Sequence, residues 1–164
     1  MRRAALPIVL LLAVAMPATA IAQGRTQTAP HAISAMLEGT FTFIPFGPGY
    51  YDVYSLGVTS GEVHGLGQTN LFTFQMPNAE APGSFLFTHF FLVAANGDKI
   101  TGTYNNASGV PGGPGIILTA TFVITGGTGR FAHATGTLDA TAYVTVLNAW
   151  EWPVVWELNG TIEY

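Results

Sequence analysis

The sequence predicts an all-β protein, a single antiparallel barrel of eight strands, and three observations carry that expectation. Apolar and polar residues alternate with a period of two from Met36 to the end of the chain, and no stretch keeps the 3.6-residue period of an amphipathic helix. Gly, Pro and Asn clusters interrupt the alternation at short intervals, as turns between antiparallel strands do. The run from Phe122 to Gly136 combines both features: a β-branched stretch breaks on Gly126-Gly127-Thr128-Gly129, and alternation resumes directly afterwards.

Taken in order, the strand candidates are 36–44, 53–57, 61–68, 70–76, 84–95, 99–105, 116–125, 134–147 and 154–164, with two of the early runs merging around a glycine bend to give eight. Asn96-Gly97-Asp98, set between a Phe-rich and a Thr-rich run, is the strongest hairpin signal, because both central turn residues must accept positive φ. Gly47-Pro48-Gly49, Ala81-Pro82-Gly83 and the longer Val110–Gly115 stretch read as loops. Short antiparallel strands jointed in this way close into an up-and-down barrel, which removes exposed edges. A sandwich of two sheets is the competing architecture.

Ahead of the strands, Arg2 and Arg3 precede an apolar run from Ala4 to Ala15 broken only by Pro7, and small residues follow at Ala18-Thr19-Ala20-Ile21-Ala22. This is the layout of a secretory signal peptide, residues 1–22, with cleavage expected after Ala22. A membrane anchor would need about 20 apolar residues, and Pro17 ends the run early. Residues 23–34 lack any periodic pattern and read as a flexible leader, leaving 35–164 as one barrel domain. The expected location is secreted or periplasmic.

The chain has no cysteine, which excludes a disulfide framework, thiolate catalysis and thiolate-bound metal. Beyond the signal peptide the fixed cations are Arg25, Lys99 and Arg130, against nine carboxylates, so nucleic acid is not an expected partner. Charged residues make up 9% of the chain, where roughly a quarter is usual. So plain an exterior favours association, and a homo-oligomer is expected.

The glycine corner Gly126-Gly127-Thr128-Gly129-Arg130-Phe131-Ala132-His133-Ala134-Thr135-Gly136 resembles the G-G-T-G-x-F-x-x-A-x-G segment of the allene oxide cyclase and dirigent barrel family, in its exported bacterial branch. Three further places share the likeness: Gly39–Phe43, Ala94–Tyr104 and Trp156–Tyr164. His64-Gly65-Leu66-Gly67 is a near match, with one inserted glycine, to a His-Leu-Gly signature of that branch. His133 departs from the pattern, standing where a small residue is usual. The resemblance implies an eight-stranded barrel with a mostly apolar mouth or lumen that shapes a ligand more than it supplies strong catalytic groups.

Several residues invite a functional reading. Glu62 and His64 lie two apart on one strand and so project to one face, which makes them, with His89, the candidates for proton transfer. Two ligands do not make a metal site, and no metal or other cofactor is expected. His89 shares a strand face with Phe85, Phe87, Phe91 and Val93 while Leu86, Thr88, Phe90 and Leu92 face the other way, so both faces are largely apolar and a hydrogen-bonded core histidine is the plain reading. Trp150, Trp152, Val154, Trp156 and Leu158 form a stripe able either to cradle a flat apolar ligand or to fill the core. Asp139, Thr141, Tyr143 and Thr145 form a polar face whose direction parity alone does not decide. The candidate ligand-binding set is therefore Phe87, His89, Phe91, Tyr143, Trp152 and Trp156. The glycine corner is not a phosphate loop, because a strand follows it rather than a helix.

The first functional expectation is a non-catalytic exported barrel that binds a small apolar molecule or serves as a structural module. An isomerase or cyclase of the allene oxide cyclase type is the alternative, with geometry doing most of the catalysis. An outer-membrane barrel ranks third, since the Gly/Thr-rich middle strands fit a lipid-facing apolar band of ~25 Å poorly.

Overall fold

The computed structural model describes residues 29–45, 48, 53–77, 80, 85–112, 115–148 and 150–164, without the side chains at 53, 54, 77, 85–87 and 105–108. The signal-peptide reading falls outside the described residues. Eight antiparallel strands follow one another: β1 (His31–Pro45), β2 (Val53–Val63), β3 (Gly67–Pro77), β4 (Phe85–Val93), β5 (Lys99–Gly112), β6 (Gly115–Gly127), β7 (Thr135–Thr145) and β8 (Glu151–Glu163). Each pairs with its neighbours in sequence, and β1 pairs with β8 as well as β2, closing the sheet into a barrel. The closing ladder runs from His31↔Ile162 to Thr42↔Glu151. Closure excludes the two-sheet sandwich.

Several boundaries differ from the sequence reading, each for a local reason. β1 begins at His31, inside the stretch read as leader, because Ala32 to Ala35 continue the ladder against Thr161 to Leu158. The run read as one strand over 61–68 is broken by a turn at His64, Gly65 and Leu66, where Gly65 and Gly67 take positive φ of 81° and 73°. β2 therefore absorbs both early runs. The Val110–Gly115 stretch is mostly ladder, since Val110 and Pro111 pair with Ile117 and Ile116 and the strands meet at Gly112↔Gly115. The hairpin at Asn96-Gly97-Asp98 is wider than a two-residue turn: Gly97 N–H donates to Ala94 O at 2.9 Å, and Ala94 N–H donates to Asp98 O at 2.9 Å. Gly97 supplies the positive φ, 87°, that a three-residue loop of this kind places at its last position.

The interior is graded along the axis. At one end, which we call the base, the β2–β3, β4–β5 and β6–β7 connections meet the start of β1 and the end of β8. Leu66, Ala94, Phe131 and Ala134 are buried there, beneath an aliphatic layer that includes Ile33, Leu37, Leu71, Leu92, Ile100, Leu138 and Leu158. Hydrogen bonds between the loops fix the seal. Thr128 N–H donates to Lys99 O at 2.8 Å and Lys99 N–H to Thr128 Oγ1 at 2.9 Å. Ala95 N–H donates to Leu66 O at 3.3 Å. The glycine corner carries a short 3-10 turn at Gly129–Phe131, and its Arg130 guanidinium lies 4.6 Å from the Phe131 ring centre and 5.7 Å from that of Tyr164.

Above this layer, aromatic side chains fill the waist: Phe41, Phe90, Tyr104, Phe122 and Trp156 are all buried. The Phe122 ring stacks on Phe90 at 4.6 Å and on Tyr104 at 5.0 Å, and meets Trp156 edge-on at 5.3 Å. An eight-stranded barrel is just wide enough for its inward side chains to fill it. The waist does so with rings.

Gly129 shows how the base depends on sequence. Its φ is +55°, and a Cβ there would lie 1.9 Å from Asp98 Oδ1, whose carboxylate accepts Arg130 N–H at 3.4 Å. Gly65, at φ +81°, has nothing within 4 Å of a Cβ. Gly65→Ala should therefore cost about 1–2 kcal/mol for the left-handed conformation alone, and Gly129→Ala that amount plus about 1 kcal/mol for the displaced carboxylate. Urea unfolding of the two variants should show the larger loss at Gly129.

Candidate functional site

The strand pleat divides the candidate residues between inside and outside. On β8, Val154, Trp156 and Leu158 are buried and Trp152 is half-buried at the opposite end from the base, the mouth. Trp152 packs edge-on against Phe43 at 4.4 Å, and its indole N–H donates to Asn148 O at 2.6 Å. Trp150, just before the strand, is exposed. The tryptophan stripe thus runs from the mouth down the interior wall.

On β4 the inward positions are Phe90 and Leu92, so His89 and Phe91 point outward and are exposed. The expectation of a core histidine is corrected by this parity: His89 sits on the outer surface, with Nδ1 2.8 Å from Thr88 O. Phe91 stacks on Phe72 of β3 at 4.7 Å, beneath the Lys99 ammonium at 6.0 Å. The Phe87 side chain lies outside the described residues. Tyr143 also faces outward, donating its hydroxyl to Glu157 Oε2 at 3.2 Å, and that carboxylate pushes its pKa up. It lines an exterior groove of about 730 Å³ with Met36, Glu38, Ser60, Thr145 and Val155. Glu62 and His64 are exposed near the base, as is His133 beside the glycine corner. Among the described residues, no three His, Asp or Glu side chains gather as metal ligands. Of the candidate set, Trp152 and Trp156 belong to the interior, while His89, Phe91 and Tyr143 lie on the outer wall.

Sequence reasoning missed the polar side of the interior. Ser55, Thr59, Thr69, Thr73 and Gln75 are buried, and all five lie on the paired strands β2 and β3. Their outward neighbours Leu56, Val58, Phe72, Phe74 and Met76 are half-buried or exposed. Polar-in and apolar-out is the reverse of ordinary strand patterning, and it was legible as Ser55-Leu56-Gly57-Val58-Thr59 and Thr73-Phe74-Gln75-Met76 once the inward parity was known.

These groups connect to Tyr104 on β5. Its phenol donates to Gln75 Oε1 at 2.8 Å, and Gln75 Nε2 reaches Ser55 Oγ at 3.5 Å. Thr88 holds the Tyr104 backbone from β4: its hydroxyl donates to Tyr104 O and accepts Tyr104 N–H at 3.3 Å. The described β4–β5 ladder covers only Phe90↔Gly102 to Val93↔Lys99, so the Thr88 side chain bridges strands that have begun to part. A register shift between Asn105 and Ser108 bends β5 further on, and another falls at Met76/Pro77 on β3. Bulges at a barrel rim turn strands away from regular pairing, and these two lie on the mouth side of the waist.

The resulting mouth half offers aromatic rings, aliphatic side chains from Leu118, Val144 and Val154, and neutral polar groups. Burial pushes the Tyr104 phenol far above its ordinary value of 10.0, so it remains a hydrogen-bond donor throughout the physiological range. Chemically, this arrangement suits a neutral, largely apolar molecule that is held and oriented. Comparison with protein-family models, curated proteins and solved structures finds no match.

The Tyr104 environment predicts a pH effect. As pH rises above about 10 the unfolded chain loses the phenolic proton while the folded chain keeps it, so the stabilisation present below that pH declines. Tyr104→Phe should cost about 1–3 kcal/mol at pH 7 by stripping Gln75 Oε1 of its donor, and should flatten the alkaline decline measured by urea unfolding.

Proposed function

We propose that this chain is a non-catalytic barrel that binds a small, neutral, apolar molecule through the mouth half of its interior. The observation that carries the reading is the asymmetry of the interior. One end is sealed by interlocked loops over aliphatic side chains, while the other carries the half-buried pair Phe43 and Trp152, two rim bulges, and the Ser55, Gln75 and Tyr104 string. A protein needing only a stable core gains nothing from burying an amide, hydroxyls and a phenol, each of which must find a partner. A binding cup uses such groups to orient what it holds.

The likeness of the glycine corner, the Ala94–Tyr104 hairpin and the Trp156–Tyr164 strand to the allene oxide cyclase and dirigent barrels supports the same reading, as does the signal-peptide layout for export to the periplasm or medium. Cyclisation or isomerisation of the held molecule is the second reading, favoured by the Tyr104 phenol, a fixed donor able to polarise a ligand oxygen.

Trp152 at the mouth and Trp156 at the waist make binding visible. Titration of the processed protein with butylbenzene should change tryptophan emission saturably and raise the thermal midpoint, and Trp152→Ala should weaken the affinity by about tenfold or more. Absence of both changes across a set of aromatic and aliphatic probes would contradict the binding reading and favour a purely structural role.

A further inference from the structure

Two polar atoms at the barrel waist have no hydrogen-bond partner among the described residues: Trp156 Nε1 and Thr73 Oγ1. Each side chain is 1% exposed, so bulk water does not serve them. Other interior polar groups do have partners. Tyr104, Gln75 and Ser55 bond to one another, Thr59 Oγ1 donates to Leu71 O at 3.5 Å, and Trp152 spends its indole N–H on Asn148 O. Buried donors left unpaired are rare and costly.

Both groups flank the Phe41 ring. Trp156 meets it edge-on at 6.2 Å. Thr73 approaches through the gap left by Gly57, where a Cβ would lie 2.1 Å from Thr73 Oγ1 and 2.7 Å from Phe41 Cε1. The absence of a side chain at Gly57 thus lets hydroxyl and ring sit together on the β2–β3 side of the waist.

We propose that the barrel recognises its ligand through a neutral acceptor oxygen, a carbonyl or ether, which takes the Trp156 indole N–H with the Thr73 hydroxyl as second partner. This inference rests on the mouth-half binding reading and adds to it the chemical class of the ligand. An indole nitrogen only donates, whereas a hydroxyl both donates and accepts, so an acceptor atom is the one group that satisfies Trp156. The buried polar groups of the described interior are hydroxyls, an amide, a phenol and an indole, all neutral at pH 7, so a carboxylate would have to shed its hydration with no cation to receive it. A ketone, ester or ether on an apolar frame fits. A hydrocarbon of the same shape leaves the donor unpaired, and sites with buried donors reject such analogues strongly.

The test uses two probes matched in shape, butyrophenone and butylbenzene, titrated into the processed protein by calorimetry. An apolar cup with no oriented donor favours butylbenzene, because the carbonyl must be dehydrated. With the donor, butyrophenone should bind about tenfold more tightly, and Trp156→Phe should reverse the preference. Should that variant fail to fold, the unmodified protein decides: on ¹⁵N labelling, the Trp156 indole N–H resonance should move downfield with butyrophenone and stay with butylbenzene, while that of Trp152 stays with both. Equal or weaker binding of the ketone, with an unmoved Trp156 resonance, would overturn the acceptor-oxygen inference and leave the cup. Failure of both probes to bind would remove the cup and this inference with it.

Discussion

The pairing of β1 with β8 is the constraint on which the rest of the structure depends. A strand paired on both sides has no free edge, and once β1 is bonded to both β2 and β8 every strand has a fixed inward parity. Ile33, Leu37 and Phe41 on β1 and Val154, Trp156 and Leu158 on β8 then stand side by side on the inner wall, with Leu37 opposite Trp156 in the ladder. A slip of one residue would carry Trp156 to the surface and bring Glu157 inside, exchanging a large buried aromatic for a desolvated carboxylate. The ladder is held in register by burial as much as by its hydrogen bonds.

That constraint also explains why the two ends of the barrel differ. The base connections are short and hydrogen-bonded to one another, and Phe131 closes over them with Tyr164 packed edge-on at 4.8 Å. At the other end the described β4–β5 ladder stops at Phe90↔Gly102, Thr88 bridges to Tyr104 with its side chain, and β5 bulges. Loop-to-loop bonding therefore fixes the base, while side-chain bonding takes over between β4 and β5 on the mouth side.

The barrel itself was legible in the sequence because its strands alternate and its turns use glycine, proline and asparagine. The tryptophan stripe was legible for the same reason, since Trp152, Val154, Trp156 and Leu158 share parity with no bulge between them. β4 was not, because Phe85 to Val93 is apolar on both faces, and only the register with β3 and β5 sends Phe90 and Leu92 inward and leaves His89 outside. β2 and β3 were hidden more deeply: their patterning is inverted, so hydroxyls and an amide, groups that ordinarily face solvent, are buried. Tyr104 stands in a Thr-rich run with nothing to mark it, and its role arises from a contact with Gln75, 29 residues away in sequence. Pairings between distant strands are what sequence periodicity does not encode.

Amide hydrogen exchange along β1 tests the closure most directly. In the barrel, β1 is paired continuously with both β2 and β8 from Glu38 to Thr42, successive amides pointing alternately to the two neighbours, so all of them should exchange slowly, with no two-residue alternation. Fast exchange confined to every second amide, those directed at β8, would mean that β1 is an open edge. The sheet would then not be a barrel, and the sealed base, the graded interior and the proposed cup would all fall with it.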